Sequence, residues 1–174
     1  MNIKDYIAEY PDFPKEWINF KDISPLIADT DAMKYVCHEM AEQCRGAEKI
    51  VALDARGFIF APVISEILGI PWVMCRKKWK LPGEVVSVLY GLEYGEDTIE
   101  IQKGAIEEWE KVAIVDDLLA TGGTVWAAIK LVEKLWGIVT NCTFVIALDE
   151  EFLLWLESRQ ATWKYNCSSV ISYE

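Results

Sequence analysis

Histidine is almost missing from this chain: His38 is the single one in 174 residues. Multi-histidine metal sites, and serine–histidine or cysteine–histidine nucleophiles that would have to rest on His38 alone, are therefore poor readings of the main chemistry. His38 itself lies in DAMKYVCHEMAEQC, a segment of helical character, where an imidazole is ordinarily structural. Paired cysteines are missing too. The five, Cys37, Cys44, Cys75, Cys142 and Cys167, are odd in number and widely spread, with no CxxC, so reduced thiols are expected. Positive charge is short, with 17 Lys and Arg against 28 Asp and Glu, a net charge of -11. Such a surface repels nucleic acid and anionic membranes. No apolar run approaches membrane-spanning length and MNIKDYIAEY has no signal-peptide core, so a cytoplasmic protein is expected. Neither GxxxxGK[ST] nor GxGxxG occurs, which removes the triphosphate P-loop and the dinucleotide fingerprint.

What is present is an alternation of strands and helices over one domain, residues 1–174, without repeat or linker. Residues 31–45 read as a helix, KIVALD (49–54) as a buried strand, and GFIFAPVISEILG (57–69) as a helix that Pro62 kinks or delays. PWVMCR (71–76) reads as a strand. VVSVLYGLEYG and DTIEIQ suggest an antiparallel excursion turning at Gly-Glu-Asp. KVAIVD (111–116) has the continuous apolar character of a central parallel strand. Val125, Ala128, Ile129, Val132, Leu135 and Trp136 recur at helical spacing and stop at Gly137. TFVIALD (143–149) reads as a strand, EEFLLWLES as a short helix and SSVISY as a last strand. The pattern predicts an α/β fold, a parallel twisted sheet flanked by helices, with ligands at the carboxyl ends of strands. Asp54 and Asp116 fall at such ends.

The densest chemistry is VAIVDDLLATGGT, residues 112–124. A strand that feeds Ala120, Thr121, Gly122, Gly123 and Thr124 into a helix gathers backbone N–H groups and two hydroxyls at an electropositive helix start. Glycine lets the main chain approach phosphate oxygens closely. Asp116 and Asp117 would repel a phosphate, but they suit the hydroxyls of a sugar, or a cation, beside it. A sugar phosphate satisfies both halves of the motif. The bland alternative is an ordinary strand-to-helix turn with two solvated aspartates. Arg76, Lys77, Lys78 and Lys80 concentrate four cations in five positions of an acidic chain, as a highly anionic substrate would require.

DDLLATGGT resembles the signature of the type I phosphoribosyltransferases for phosphoribosyl pyrophosphate (PRPP). YPDFPKEWINFKDISPLI, DARGF at 54–58, RKKWKLPGE at 76–84 and YGLEYGEDTIEIQK at 90–103 narrow the resemblance to the adenine-specific members. It implies transfer of a phosphoribosyl group from PRPP to adenine, giving AMP and pyrophosphate, with magnesium held mainly through PRPP and Asp116 and Asp117 nearby. By this resemblance Asp116, Asp117 and residues 120–124 hold ribose and its 5′-phosphate. Arg56, Arg76 and Lys80 meet pyrophosphate, with Arg76 reaching it from a neighbouring subunit. Asn19, Phe20 and Lys21 read adenine in an N-terminal hood (residues 1–30), although Lys21 stands where an arginine is usual. Glu93 manages the proton at the base and Tyr94 closes over the sugar or ring. Residues 77–90 form a lid, and a homodimer is implied.

The chain departs from the resemblance in its tryptophans. Trp17, Trp79, Trp109, Trp136, Trp155 and Trp163 stand where glycine or a small turn residue is expected, as if the sequence had been altered. Three other functions stay open at this level. They are a guanine, hypoxanthine or xanthine enzyme, a PRPP-binding regulator, and a scaffold whose activity the tryptophans have impaired. A regulator that reads DNA would need a basic segment that neither end supplies.

Overall fold

The computed structural model describes residues 1–92, 95–148 and 165–173. A short hairpin-like pair comes first, β1 (Ala8–Tyr10) and β2 (Phe20–Asp22), antiparallel and separate from the main sheet. Helices α1 (Ser24–Ala28) and α2 (Thr30–Gln43) follow. Asp29 caps α2, its carboxylate accepting from the N–H groups of Asp31 (3.0 Å) and Ala32 (2.9 Å). The chain then runs β3 (Lys49–Leu53), α3 (Gly57–Leu68), β4 (Trp72–Lys77), β5 (Val85–Leu92), β6 (Gly95–Gln102), β7 (Lys111–Leu119), α4 (Gly123–Lys134), β8 (Ile138–Leu148) and β9 (Asn166–Tyr173).

Seven strands form one sheet in the order β5-β6-β4-β3-β7-β8-β9 among the described residues. The run from β4 to β9 is parallel, and β6 joins β4 and β5 antiparallel. Alternation along β3 explains why its residues are all apolar after Lys49. Val51 and Leu53 face the layer containing α4, while Ile50 and Ala52 face that of α2 and α3. β7 repeats the arrangement with Val112 and Ile114 on one side and Ala113 and Val115 on the other. From β3 the chain moves to β4 on one side, and β7 then pairs on the other. The strand order therefore reverses between β3 and β7, and a crevice opens at their carboxyl ends.

Several expectations change. The antiparallel excursion is present, but Gly95, Glu96 and Asp97 lie inside β6 rather than in its turn. Leu92 pairs with Gly95, and Glu93 and Tyr94 lie outside the described residues. α3 starts at Gly57 and carries Pro62 within it, so the start is not delayed. β7 continues through the two aspartates to Leu119, and β8 begins at Ile138, earlier than the apolar run suggests. Buried Asn141 explains the second difference, because its amide donates to the Gln43 carbonyl at 2.6 Å and so sits in the strand satisfied. α4 ends at Lys134, three residues before Gly137: Trp136 takes the left-handed position with φ 66° and is 63% exposed, so it leaves the apolar stripe. The helix read in EEFLLWLES, with Trp155, and Trp163 beyond it, lies outside the described residues.

Candidate active site

A cavity of about 330 Å³ occupies the crevice between β3 and β7. Asp54, Ala55 and Arg56 line it from the β3–α3 turn, Lys77 from the end of β4 and Tyr90 from β5. The floor is the continuous stretch from Asp116 to Val125. This is where a switch-point ligand belongs.

Two close approaches build the cradle. Gly122 has φ 77° at the cap of α4, a conformation glycine adopts freely, and it brings no side chain to the helix start. The first-turn N–H groups therefore stay open to an anion, with the Thr121 and Thr124 hydroxyls beside them. Gly57 starts α3 so near β7 that a Cβ there would lie 2.6 Å from the Val115 carbonyl oxygen. That contact holds the β3–α3 turn, and Arg56 with it, against the acids.

Asp117 is 4% exposed, and its Oδ2 lies 2.8 Å from Arg56 Nε. The pair is close, yet the same oxygen has no hydrogen bond of good geometry, so ion pairing and not a directed bond holds it. The Asp117 N–H donates to Asp116 Oδ1 at 2.9 Å. Burial, reinforced by the Asp117 charge, pushes the Asp116 carboxyl well above its usual range. Burial also raises Asp117, with Arg56 opposing it. Two desolvated acids with spare acceptor capacity suit a polyhydroxyl ligand.

Across the crevice Lys77 Nζ pairs with Asp97 at 2.8 Å, and the Tyr90 hydroxyl donates weakly to the same carboxylate at 3.5 Å. The Lys77 ammonium holds Asp97 below the ordinary carboxylate range. Burial raises the Tyr90 phenol, so it stays a neutral donor.

A second hollow of about 290 Å³ lies over β2, lined by Tyr10, Phe13, Phe20 and Asp22. The Phe13 and Phe20 rings meet edge to face with centroids 5.4 Å apart. The Arg56 guanidinium lies 5.4 Å from the Phe20 ring while its Nε pairs with Asp117, so one side chain borders both spaces.

A family model described as phosphoribosyl transferase domain matches residues 26–144. The chain belongs to the phosphoribosyltransferase family. A relative from Mycoplasmopsis synoviae (strain 53), called adenine phosphoribosyltransferase, is 47% identical over 99% of this chain and 100% of its own. The crystal structure of adenine phosphoribosyltransferase from Thermoanaerobacter pseudethanolicus superposes with a TM-score of 0.88, at 44% identity over 98% of both chains. That from Saccharomyces cerevisiae, with adenine and an imino-altritol bisphosphate bound, has a TM-score of 0.86 at 35% identity, covering 97% of this chain and 96% of that one. The fold is the type I fold of this family.

Of the residues expected at the site of this phosphoribosyltransferase, Arg56, Asp116, Asp117, Ala120, Thr121, Gly122, Gly123 and Thr124 converge on the main cavity. Arg76 does not line it. Its Nε pairs with Asp54 of the same chain at 3.1 Å, and its guanidinium lies 5.7 Å from the Phe58 ring. Lys80 is exposed on the connection after β4 and also stands outside the lining. Phe20 lines the second hollow, and Asn19 donates to Glu9 Oε2 at 2.8 Å. Lys21 is buried, 2.7 Å from Glu9 and 3.8 Å from the centre of the Tyr173 ring, so its ammonium braces β2 instead of stacking on a ligand. Glu93 and Tyr94 lie outside the described residues. Sequence reasoning did not single out Lys77, Tyr90, Tyr10 or Phe13 as site residues. Lys77 stood in the basic cluster, and Tyr10 and Phe13 stood in the quoted YPDFP stretch. Tyr90 opened the quoted YGLEYG stretch, but only strand pairing turns it to the crevice.

Proposed function

We propose that the chain is an adenine phosphoribosyltransferase, joining adenine to the phosphoribosyl group of PRPP with release of pyrophosphate. The observation that carries this reading is the placement of an open helix-start cradle, two buried acids and Arg56 around one cavity, with an aromatic hollow on the far side of Arg56. The cradle at residues 120–124 takes the 5′-phosphate. Asp116 and Asp117 accept from the ribose hydroxyls. Arg56 and Lys77 face the charge that grows on pyrophosphate as the bond at the sugar C1 opens. Arg76 and Lys80 add to that field once residues 77–90 close as a lid, and closure excludes water from the cationic sugar.

Adenine lies against Phe20 in the hood, residues 1–30, with Asn19 and the β2 backbone at its polar edge. Lys21 supports this strand from behind. Glu93 holds the proton exchanged at the base, and Tyr94 covers the site.

Magnesium fits the donors at hand: they are hard oxygens, and Asp117 Oδ2 lacks a directed hydrogen bond. The cation would be one carried by PRPP, with Asp116 and Asp117 beside it. When bound it would neutralise charge on the pyrophosphate. No helix among the described residues is long and apolar enough to cross a membrane, and a cytoplasmic homodimer accords with the reading.

The test is pyrophosphate release with PRPP, magnesium and a panel of adenine, guanine, hypoxanthine and xanthine. Adenine alone should be turned over. Turnover of guanine in its place would reject the assignment, and calorimetric binding of PRPP without release for any base would mark a non-catalytic binder.

A further inference from the structure

Six tryptophans lie among the described residues, and they are of two kinds. Trp72 and Trp126 sit inside β4 and α4, partly buried, with rings 6.0 Å from Phe58 and 6.2 Å from Tyr165. Trp17, Trp79, Trp109 and Trp136 have φ of 71, 68, 66 and 66° and are 94, 85, 68 and 63% exposed. In that left-handed region Cβ crowds the carbonyl oxygen, so a bulky residue there is an outlier. At the usual few per cent per residue, four in six would coincide in fewer than about one in ten thousand such chains. The same region holds Gly46, Gly69, Gly83, Gly104 and Gly122, and among the described residues the one other non-glycine there is Asp12, a residue type that tolerates it.

The main chain is what all four positions use, and the Lys78 ammonium 5.1 Å from the centre of the exposed Trp79 ring adds little to it. Trp136 N–H donates to the Glu133 carbonyl and Gly137 N–H to that of Val132, both at 3.0 Å, a Schellman ending whose left-handed residue is ordinarily glycine. Trp109 N–H donates to the Trp136 carbonyl at 2.8 Å, Trp17 N–H to Asp12 Oδ1 at 2.8 Å and Trp79 N–H to Glu100 Oε2 at 3.2 Å. Glycine would make every one of these bonds. Trp17 and Trp79, 94 and 85% exposed, bury too little surface to offset the strain.

The codon UGA, a stop in the standard code, is read as tryptophan under one variant bacterial code and as glycine under another. We infer that positions 17, 79, 109 and 136 are UGA codons decoded as glycine in the cell that makes this protein, whereas Trp72 and Trp126 are UGG codons and true tryptophans. The functional chain then carries glycine in the segment before β2 and in the connection after β4. Backbone there crosses between left-handed and extended conformations at little cost, as closure over a substrate requires. That last consequence rests on the proposed function; the decoding does not.

Reading the gene tests the inference directly. UGA at the four positions with UGG at 72 and 126 is the expected pattern, and UGG at the four overturns it. Peptide mass spectrometry on protein purified from its own cells should find each of the four peptides lighter by the difference between tryptophan and glycine; intact indoles there overturn the inference. A recombinant chain with W17G, W79G, W109G and W136G should melt roughly 8 °C or more above the tryptophan form. W72G and W126G, as controls, should each melt lower. A quadruple variant no more stable than the tryptophan form would overturn the strain argument, whatever base the enzyme turns over.

Discussion

Asp116 is held where its own charge is unwelcome, and that fixes how it responds to substitution and to pH. Its raised pKa means the folded chain binds more protons than the unfolded one between the ordinary carboxylate value and the raised one. Stability from this group therefore falls as pH rises through that window. Asp116→Asn keeps an oxygen for the Asp117 N–H and cannot ionise, so above the raised pKa it should melt about 2–4 °C higher than the aspartate form. The advantage should shrink as pH falls through the raised pKa, while PRPP affinity drops at least tenfold; scanning calorimetry across pH and titration with PRPP measure the two. Lys21 makes the opposite case. Its buried ammonium is satisfied by Glu9 and Tyr173, and Lys21→Met should cost about 1–2 kcal/mol. The KM for adenine should rise several-fold and that for PRPP stay within about twofold, as expected of a positioning residue; equal changes in both would make it a general stability residue.

At the scale of elements, the meeting of α3 with β7 carries the site. Gly57→Ala would drive a methyl to 2.6 Å from a backbone oxygen and 3.3 Å from the Asp116 Cα. Neither neighbour is a flexible side chain, so the variant should lose about 2 kcal/mol in denaturant unfolding and bind PRPP more weakly. These elements were largely legible in the sequence. β3, β7 and α4 declare themselves because burial on two faces, or on one stripe, forces an unmistakable apolar pattern. Their ends were less so. The stop of α4 was read at Gly137, whereas the chain turns left-handed at Trp136 and needs Gly137 for packing, its would-be Cβ lying 2.8 Å from Val132 Cγ1. A glycine near a helix end has two physical uses, and only coordinates separate them. The turn read at Gly95–Asp97 failed for a related reason: the register of β5 on β6 carries those residues into the strand.

For the whole molecule, ligand linkage gives a direct check. PRPP with magnesium at a hundredfold over Kd should stabilise the fold by about 2.7 kcal/mol, seen as a rise in Tm. Removing magnesium with a chelator should abolish most of that rise, and adenine alone should give little. By itself the sequence determined the α/β class, the Thr/Gly turn and the acids before it, because continuous apolar strands and such a turn before an amphipathic helix are local patterns. Only the tertiary structure decided which cations face the cavity. Strand pairing brought Lys77 and Tyr90 to it, left Arg76 paired with Asp54, and buried Lys21 beneath Tyr173 from the far end of the chain. Those contacts join residues distant in sequence, and no local pattern encodes which partner a long, flexible cation will find.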